Sequence, residues 1–138
     1  MKKAYKIAAA YLVFGLIAGL FTHEATYWTN FTGETVLSLV HTHAFVLGTA
    51  VFVLLPLFMK NFHIENQKSF GKFKWTYNIS LIMTLGFMTA RGVTQLFSLP
   101  ISSFMDHMIG GLAGIGHIIL TIGLAFLFHT FIKSVENN

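Results

Sequence analysis

A chain of 138 residues has room for one domain. With 54% hydrophobic and only 10% charged residues, and a mean hydropathy of +0.67, it lies far from the soluble average and reads as a membrane protein. The absence of cysteine excludes disulfides, thiolate catalysis, iron–sulfur clusters and zinc–thiolate sites, so any metal must be held by histidine, carboxylate or methionine.

Four apolar runs, about 4–21, 36–59, 75–99 and 104–132, approach or exceed the roughly 20 residues that cross a bilayer. They predict an all-α integral membrane four-helix bundle that forms a single domain over residues 1–138. The net charge of +4 follows the same pattern. Lys2, Lys3 and Lys6 precede the first run, Lys60, Lys68, Lys72 and Lys74 lie between the second and third, and Lys133 follows the fourth. All eight lysines thus fall on one side of a four-span chain, which by the positive-inside rule puts the N and C termini and the middle loop in the cytoplasm. The basic balance is a topology signal, and nucleic acid is not expected as a partner.

The first run could imitate a secretory signal, but no small-x-small cleavage site precedes a hydrophilic domain, so it reads as a retained helix. Its Gly15-x-x-x-Gly19 spacing lets a second backbone approach closely. At its outer end His23 and Glu24 stand before Tyr27 and Trp28, as solvated loop residues or at the mouth of a site.

The second run begins near Glu34 or Thr35, either of which can cap its first turn. His41 and His43 fall roughly 9 to 13 Å below that start, and being two apart they point in nearly opposite directions. His43 shares a face with Leu47, Ala50 and Leu54, and His41 with Phe45, Gly48 and Phe52. The polar loop of 61–74, with His63 and Glu65, is a connector. In the third run Thr84, Met88, Arg91, Gln95 and Ser98 form a polar stripe, where Arg91 must snorkel outward or meet an anion.

Leu99-Pro100 breaks the chain, and Ser103-x-x-Asp106 resembles a variant capping box. In the fourth run His117 shares a face with Gly110, Gly114 and Thr121, while His107 lies nearer the outer surface and His129 at the cytoplasmic end. Glycines above a buried histidine serve helix–helix contact or clearance for a flat ligand. The faces carrying Gly15 and Gly19, or Gly110 and Gly114, are where a homo-oligomer such as a homodimer is expected.

A lone histidine at membrane depth is usually satisfied by a hydroxyl or a carbonyl. Here His41, His43, His107 and His117 stand on two co-directional helices, with Arg91 on the helix between, and a bound cofactor accounts better for the group. Imidazole binds iron, copper and zinc alike. A copper, zinc or non-haem iron site would need three or four converging donors, drawn from His41, His107, Glu24 and His23. Haem b needs one or two histidines, apolar walls and a cation for its propionates. That set is met by His43 and His117 as axial ligands, His41 as a second ligand or hydrogen-bond partner, His107 as an alternative ligand, and Arg91 with Gln95 for the propionates.

The segment His41-Thr42-His43-Ala44-Phe45-Val46-Leu47-Gly48 resembles the His-x-His helix of the haem–copper oxidase and nitric oxide reductase superfamily. In that superfamily the helix runs from outside to inside with its histidines in the outer half. The resemblance implies His43 in the place of the low-spin haem ligand and His41 in that of the high-spin one. Four spans lack the further helices and histidines of the oxidase centre. Across its length the chain is more similar to small uncharacterised bacterial four-span membrane proteins, which implies the bacterial cytoplasmic membrane. The resulting expectation is electron transfer, or sensing or handling of a diatomic gas, in a membrane oxidoreductase with a redox partner. The rival readings are a non-haem metal protein, a small proton or anion transporter or channel, and a non-catalytic assembly subunit. No nucleophile with its base, phosphate loop or pair of catalytic carboxylates is found.

Overall fold

A computed structural model describes residues 1–136, in which four long helices follow one another up and down. We label them α1 (Lys2–Trp28), α2 (Leu37–Phe62), α3 (Lys68–Leu96) and α4 (Ser103–Glu136); a 3-10 turn, Ile64–Asn66, lies between α2 and α3. No strand occurs among the described residues.

The first helix packs mainly through small residues and turns its large apolar side chains outward, whereas α2 and α3 fill the interior with Leu37, Phe52, Phe73, Tyr77 and Leu81 and α4 alternates glycines with leucines. The buried positions of α1 are Ala4, Ala8, Tyr11, Gly15, Ala18, Thr22 and Ala25, alternating by four and three, the spacing of a coiled-coil seam. Its outward face carries Leu12, Val13, Leu16, Ile17 and Leu20. The seam lies on α2, where the ring of Phe45 covers Gly15 and the ring of Tyr11 covers Gly48, each aromatic using the space a missing side chain leaves. In α4 Ile109 is buried, and from Gly116 on the buried positions are Gly116, Leu120, Gly123, Leu127, Thr130 and Ser134, again at four and three. Gly116 rests on Thr84 and Gly123 on the backbone of Tyr77, so α3 and α4 pack along most of their length.

The two pairs are joined where α2 meets α3. Gly92 lies against the backbone of Leu37, Thr35 Oγ1 donates to the Gly92 carbonyl at 3.0 Å, and the Val36 N–H donates to Gln95 Oε1 at 3.0 Å. The Leu37 N–H also donates to Thr35 Oγ1 at 3.2 Å, so Thr35 caps α2 as its sequence position suggests. At the start of α4 the side-chain cap comes from Ser102, whose Oγ accepts the Met105 N–H at 3.2 Å. The expected Ser103–Asp106 box does not form there, because Asp106 turns toward Arg91.

Two helices end in a left-handed residue with a six-to-one hydrogen bond: Asn30, with Phe31 N–H to Thr26 O, and Ser98, with Leu99 N–H to Thr94 O. Pro100 then prevents the helix from resuming, as the sequence implies. His63, expected as a plain loop residue, ends α2 in the same left-handed conformation.

One departure concerns the number of spans. Three helices, α1, α2 and α4, are long and apolar enough to cross a membrane. The 29-residue α3 is long enough but not apolar enough, because Lys72, Lys74, Asn78, Ser80, Thr84, Arg91 and Gln95 interrupt it. Ser80 and Thr84 are fully buried against neighbouring helices, so burial among protein atoms replaces apolar character on that face.

The glycines make a direct test of this packing. A methyl group at Gly92 would lie 2.5 Å from the Leu37 nitrogen, whereas one at Gly86 meets nothing within 4 Å. Gly92→Ala is expected to destabilise the protein by about 2 kcal/mol and Gly86→Ala to stabilise it by up to about 1 kcal/mol through helix propensity, read by thermal unfolding in detergent.

Candidate functional site

The second helix departs from regular α geometry where its histidines stand. After His43 a seven-residue π-helical segment, Ala44–Ala50, precedes the resumption of α-helix at Val51. A π turn holds an additional residue and misaligns the carbonyl ladder, and such turns concentrate at functional sites. Two hydroxyls take up the carbonyls. Tyr77 donates to Leu47 O at 2.8 Å from the neighbouring α3, and Thr49 reaches Ala44 O at 3.4 Å. Tyr77 is fully buried and belongs to no motif, so sequence reasoning passed over it. Nothing in an apolar run marks where an extra residue will sit.

Directly before this segment His43 meets His117 of α4. Their ring centroids are 5.9 Å apart and the planes nearly perpendicular, at 87°. Each ring is steered by its own helix: His43 Nδ1 lies 2.9 Å from Leu39 O and His117 Nδ1 2.8 Å from Ala113 O. A carbonyl can only accept, so a proton sits on Nδ1 in both rings, and in the neutral ring Nε2 is the nitrogen with the lone pair. That is the tautomer in which histidine binds a metal through Nε2 while a carbonyl fixes the ring from behind. His43 is half-buried and His117 exposed, and the neighbouring Gly114 faces open space.

A second aromatic contact shows how the helices are aligned. Phe58 and Phe131 meet with centroids 4.6 Å apart, 15 residues after His43 on α2 and 14 after His117 on α4. The helices therefore run side by side in the same direction, and the π segment accommodates the extra residue on α2. His43 is six residues into α2 and His117 fourteen into α4, so α4 begins about two turns above α2.

The other anticipated residues do not join this pair. His41 faces α1, its Cβ 3.6 Å from where a Gly19 side chain would begin, and its ring stands edge-on to Phe45 at 6.1 Å. Its Nδ1 is buried without a hydrogen-bond partner, and Thr22 Oγ1 lies 3.4 Å from the Leu37 carbonyl four residues back, the kind of acceptor the other rings use. His107 is held by Ser103 O at 2.6 Å and lies ten residues, about 15 Å, outward of His117. His23 pairs with the adjacent Glu24 at 3.2 Å in an exposed position. Among the described residues no three histidine or carboxylate groups converge as metal donors, so the centre drawn from His41, His107, Glu24 and His23 is not assembled.

Arg91 finds its anion in Asp106 of α4, with Nε 3.6 Å from Oδ1, and both side chains are partly open to solvent. Its guanidinium lies over Gly110, where a methyl group would come within 2.9 Å of Nη1. Gly110 thus provides clearance for an arginine, and Gly15 and Gly19 face α2 within the chain, against Phe45 and His41. Gln95 commits its carbonyl oxygen to the first turn of α2.

These features define a helical bundle with small-residue seams and an imidazole pair facing across two co-directional helices. Over residues 1–134 the chain matches the family described as "Protein of unknown function (DUF2871)", and it belongs to that family. No curated protein and no solved structure matches it. The likeness of residues 41–48 to the haem–copper oxidase helix therefore gains no support, eight residues being too few to carry it.

Gln95 separates a structural role from a ligand-binding one. Gln95→Leu is expected to cost about 1 kcal/mol of stability by leaving the Val36 N–H uncapped, and Gln95→Glu, which keeps an acceptor, to retain most of it, both measured by denaturant unfolding in detergent.

Proposed function

We propose that the protein is an integral membrane protein that crosses the bilayer four times, with both termini on the lysine-bearing cytoplasmic side, and holds a haem b between His43 and His117. The pairing of those two rings is the observation that carries the reading. Their centroids stand 5.9 Å apart, and with Nδ1 of each ring held by a backbone carbonyl, Nε2 is the nitrogen each would offer to a shared iron. Two polar rings on an otherwise apolar outward surface also call for a partner.

Membrane insertion is supported by the run of large apolar residues on the outward faces. Leu16, Ile17 and Leu20 of α1, Ile79 and Ile82 of α3, and Ile115, Ile118 and Ile122 of α4 are exposed while alanine, glycine and serine are buried. Water does not tolerate apolar surface on that scale, and helices in lipid associate through small residues. The fourth crossing rests on α3 burying its polar stripe against α2 and α4. The up-and-down topology gathers the eight lysines at one end.

His43 and His117 would hold the haem iron, with Leu39 O and Ala113 O orienting their rings. Arg91 sits over Gly110, seven residues and about 10 Å outward of His117 on the same helix, where its donors not turned to Asp106 suit a propionate. When bound, a haem of this kind supplies a one-electron couple, and the protein's contribution is to fix its ligands and exclude water. Electron transfer is the reading this pair of ligands favours over gas binding.

Protein purified from cells supplied with haem is expected to remain with membranes through alkaline washing and to show a Soret band. His43→Ala and His117→Ala should each abolish the band, His107→Ala should leave it, and carbon monoxide should not shift it while both imidazoles stay ligated. A colourless protein overturns the haem reading, and a carbon monoxide shift turns it toward gas handling.

A further inference from the structure

On the opposite side of α2 from the histidine pair, α1 and α3 do not close on one another. Tyr11 donates to Asn78 Oδ1 across the gap at 3.3 Å, and above and below that bridge runs a groove. Its two sections, of about 570 and 560 Å³, share Ile7, Asn78 and Ile82 and so form one channel. The walls are almost wholly apolar along its length, but one end is bordered by Lys3 of α1 and Lys74 of α3, with Trp75 beside them. Gly86 lines the other section, and beyond its own stretch of helix backbone nothing lies within 4 Å of where its side chain would be. A mid-helix glycine that no internal contact requires carries a cost in helix stability, and its effect here is to keep the channel deep.

We infer that this groove binds an anionic phospholipid from the lysine-side leaflet, its phosphate at Lys3 and Lys74 and an acyl chain along the α1–α3 groove toward Gly86. Charge complementarity selects the occupant: an apolar trough alone would accept any chain, but two ammonium groups at the end nearest the headgroups favour a negative head. Trp75, at the same end and exposed, suits the headgroup layer. The inference rests on the membrane part of the reading above and not on the haem.

The test is retention of single lipids by native mass spectrometry after reconstitution in phosphatidylcholine bilayers with and without phosphatidylglycerol. Wild-type protein is expected to retain one phosphatidylglycerol in preference to phosphatidylcholine. Lys3→Gln with Lys74→Gln should weaken that preference by about five-fold per lysine and about thirty-fold together, while Lys60→Gln with Lys133→Gln leaves it unchanged. Gly86→Leu, checked for folding by circular dichroism, should expel the lipid while the lysines remain. Inorganic phosphate should not compete, which separates a lipid headgroup from a free anion. Equal retention of the two lipids, indifference to Lys3 and Lys74, competition by phosphate, or a dimer that buries the groove without lipid would each overturn the inference. Protein that inserts stably yet shows no such preference sinks the lipid site alone; protein that fails to insert sinks the membrane reading with it.

Discussion

Close approach of helix backbones is the constraint on which the arrangement depends. Gly92 against Leu37, Gly116 against Thr84 and Gly123 against Tyr77 leave no space for a side chain, and each fixes where one helix crosses another. Three of the four helices take part in these contacts, and α1 follows through its own seam on α2. Dispersion between such closely fitted surfaces contributes to holding the helices together. The interior is filled by Leu37, Phe52, Phe73, Tyr77 and Leu81, while the outward faces carry aliphatic residues such as Leu16, Ile17, Ile79 and Ile118.

Much of this was legible in the residues. The four helices, their order, the Thr35 cap and the break at Leu99-Pro100 all followed from apolar runs and stop signals, because these are local properties of the chain. The polar stripe of α3 was legible as well, but its meaning was not. Thr84, Arg91 and Gln95 face three different partners, Gly116, Asp106 and Val36, and which partner each finds depends on helix crossings that no single run encodes. For the same reason α3 reads as a span by length while its composition falls short.

The histidines divide along similar lines. That His41 and His43 point apart follows from a spacing of two, and the structure places one toward α1 and the other toward α4. The meeting of His43 with His117 depends on the relative height of two helices separated by 74 positions, which periodicity alone leaves undetermined. Tyr77 and the π segment were invisible for a further reason. A phenol among phenylalanines and a widened turn in a run of valine, leucine and alanine leave no mark in composition.

That widened turn also governs how the chain can change over time. Its surplus position lets fifteen residues of α2 keep step with fourteen of α4, so the two ends of their shared edge stay level. Loss of any one residue from 44–50 would restore an ordinary helical ladder, yet it would rotate everything on the His43 side by about 100° relative to Phe58. Here a shorter and locally more regular helix is the one that mismatches its neighbour, so the stretch tolerates deletion poorly, and at Gly48, against the Tyr11 ring, it tolerates substitution poorly as well.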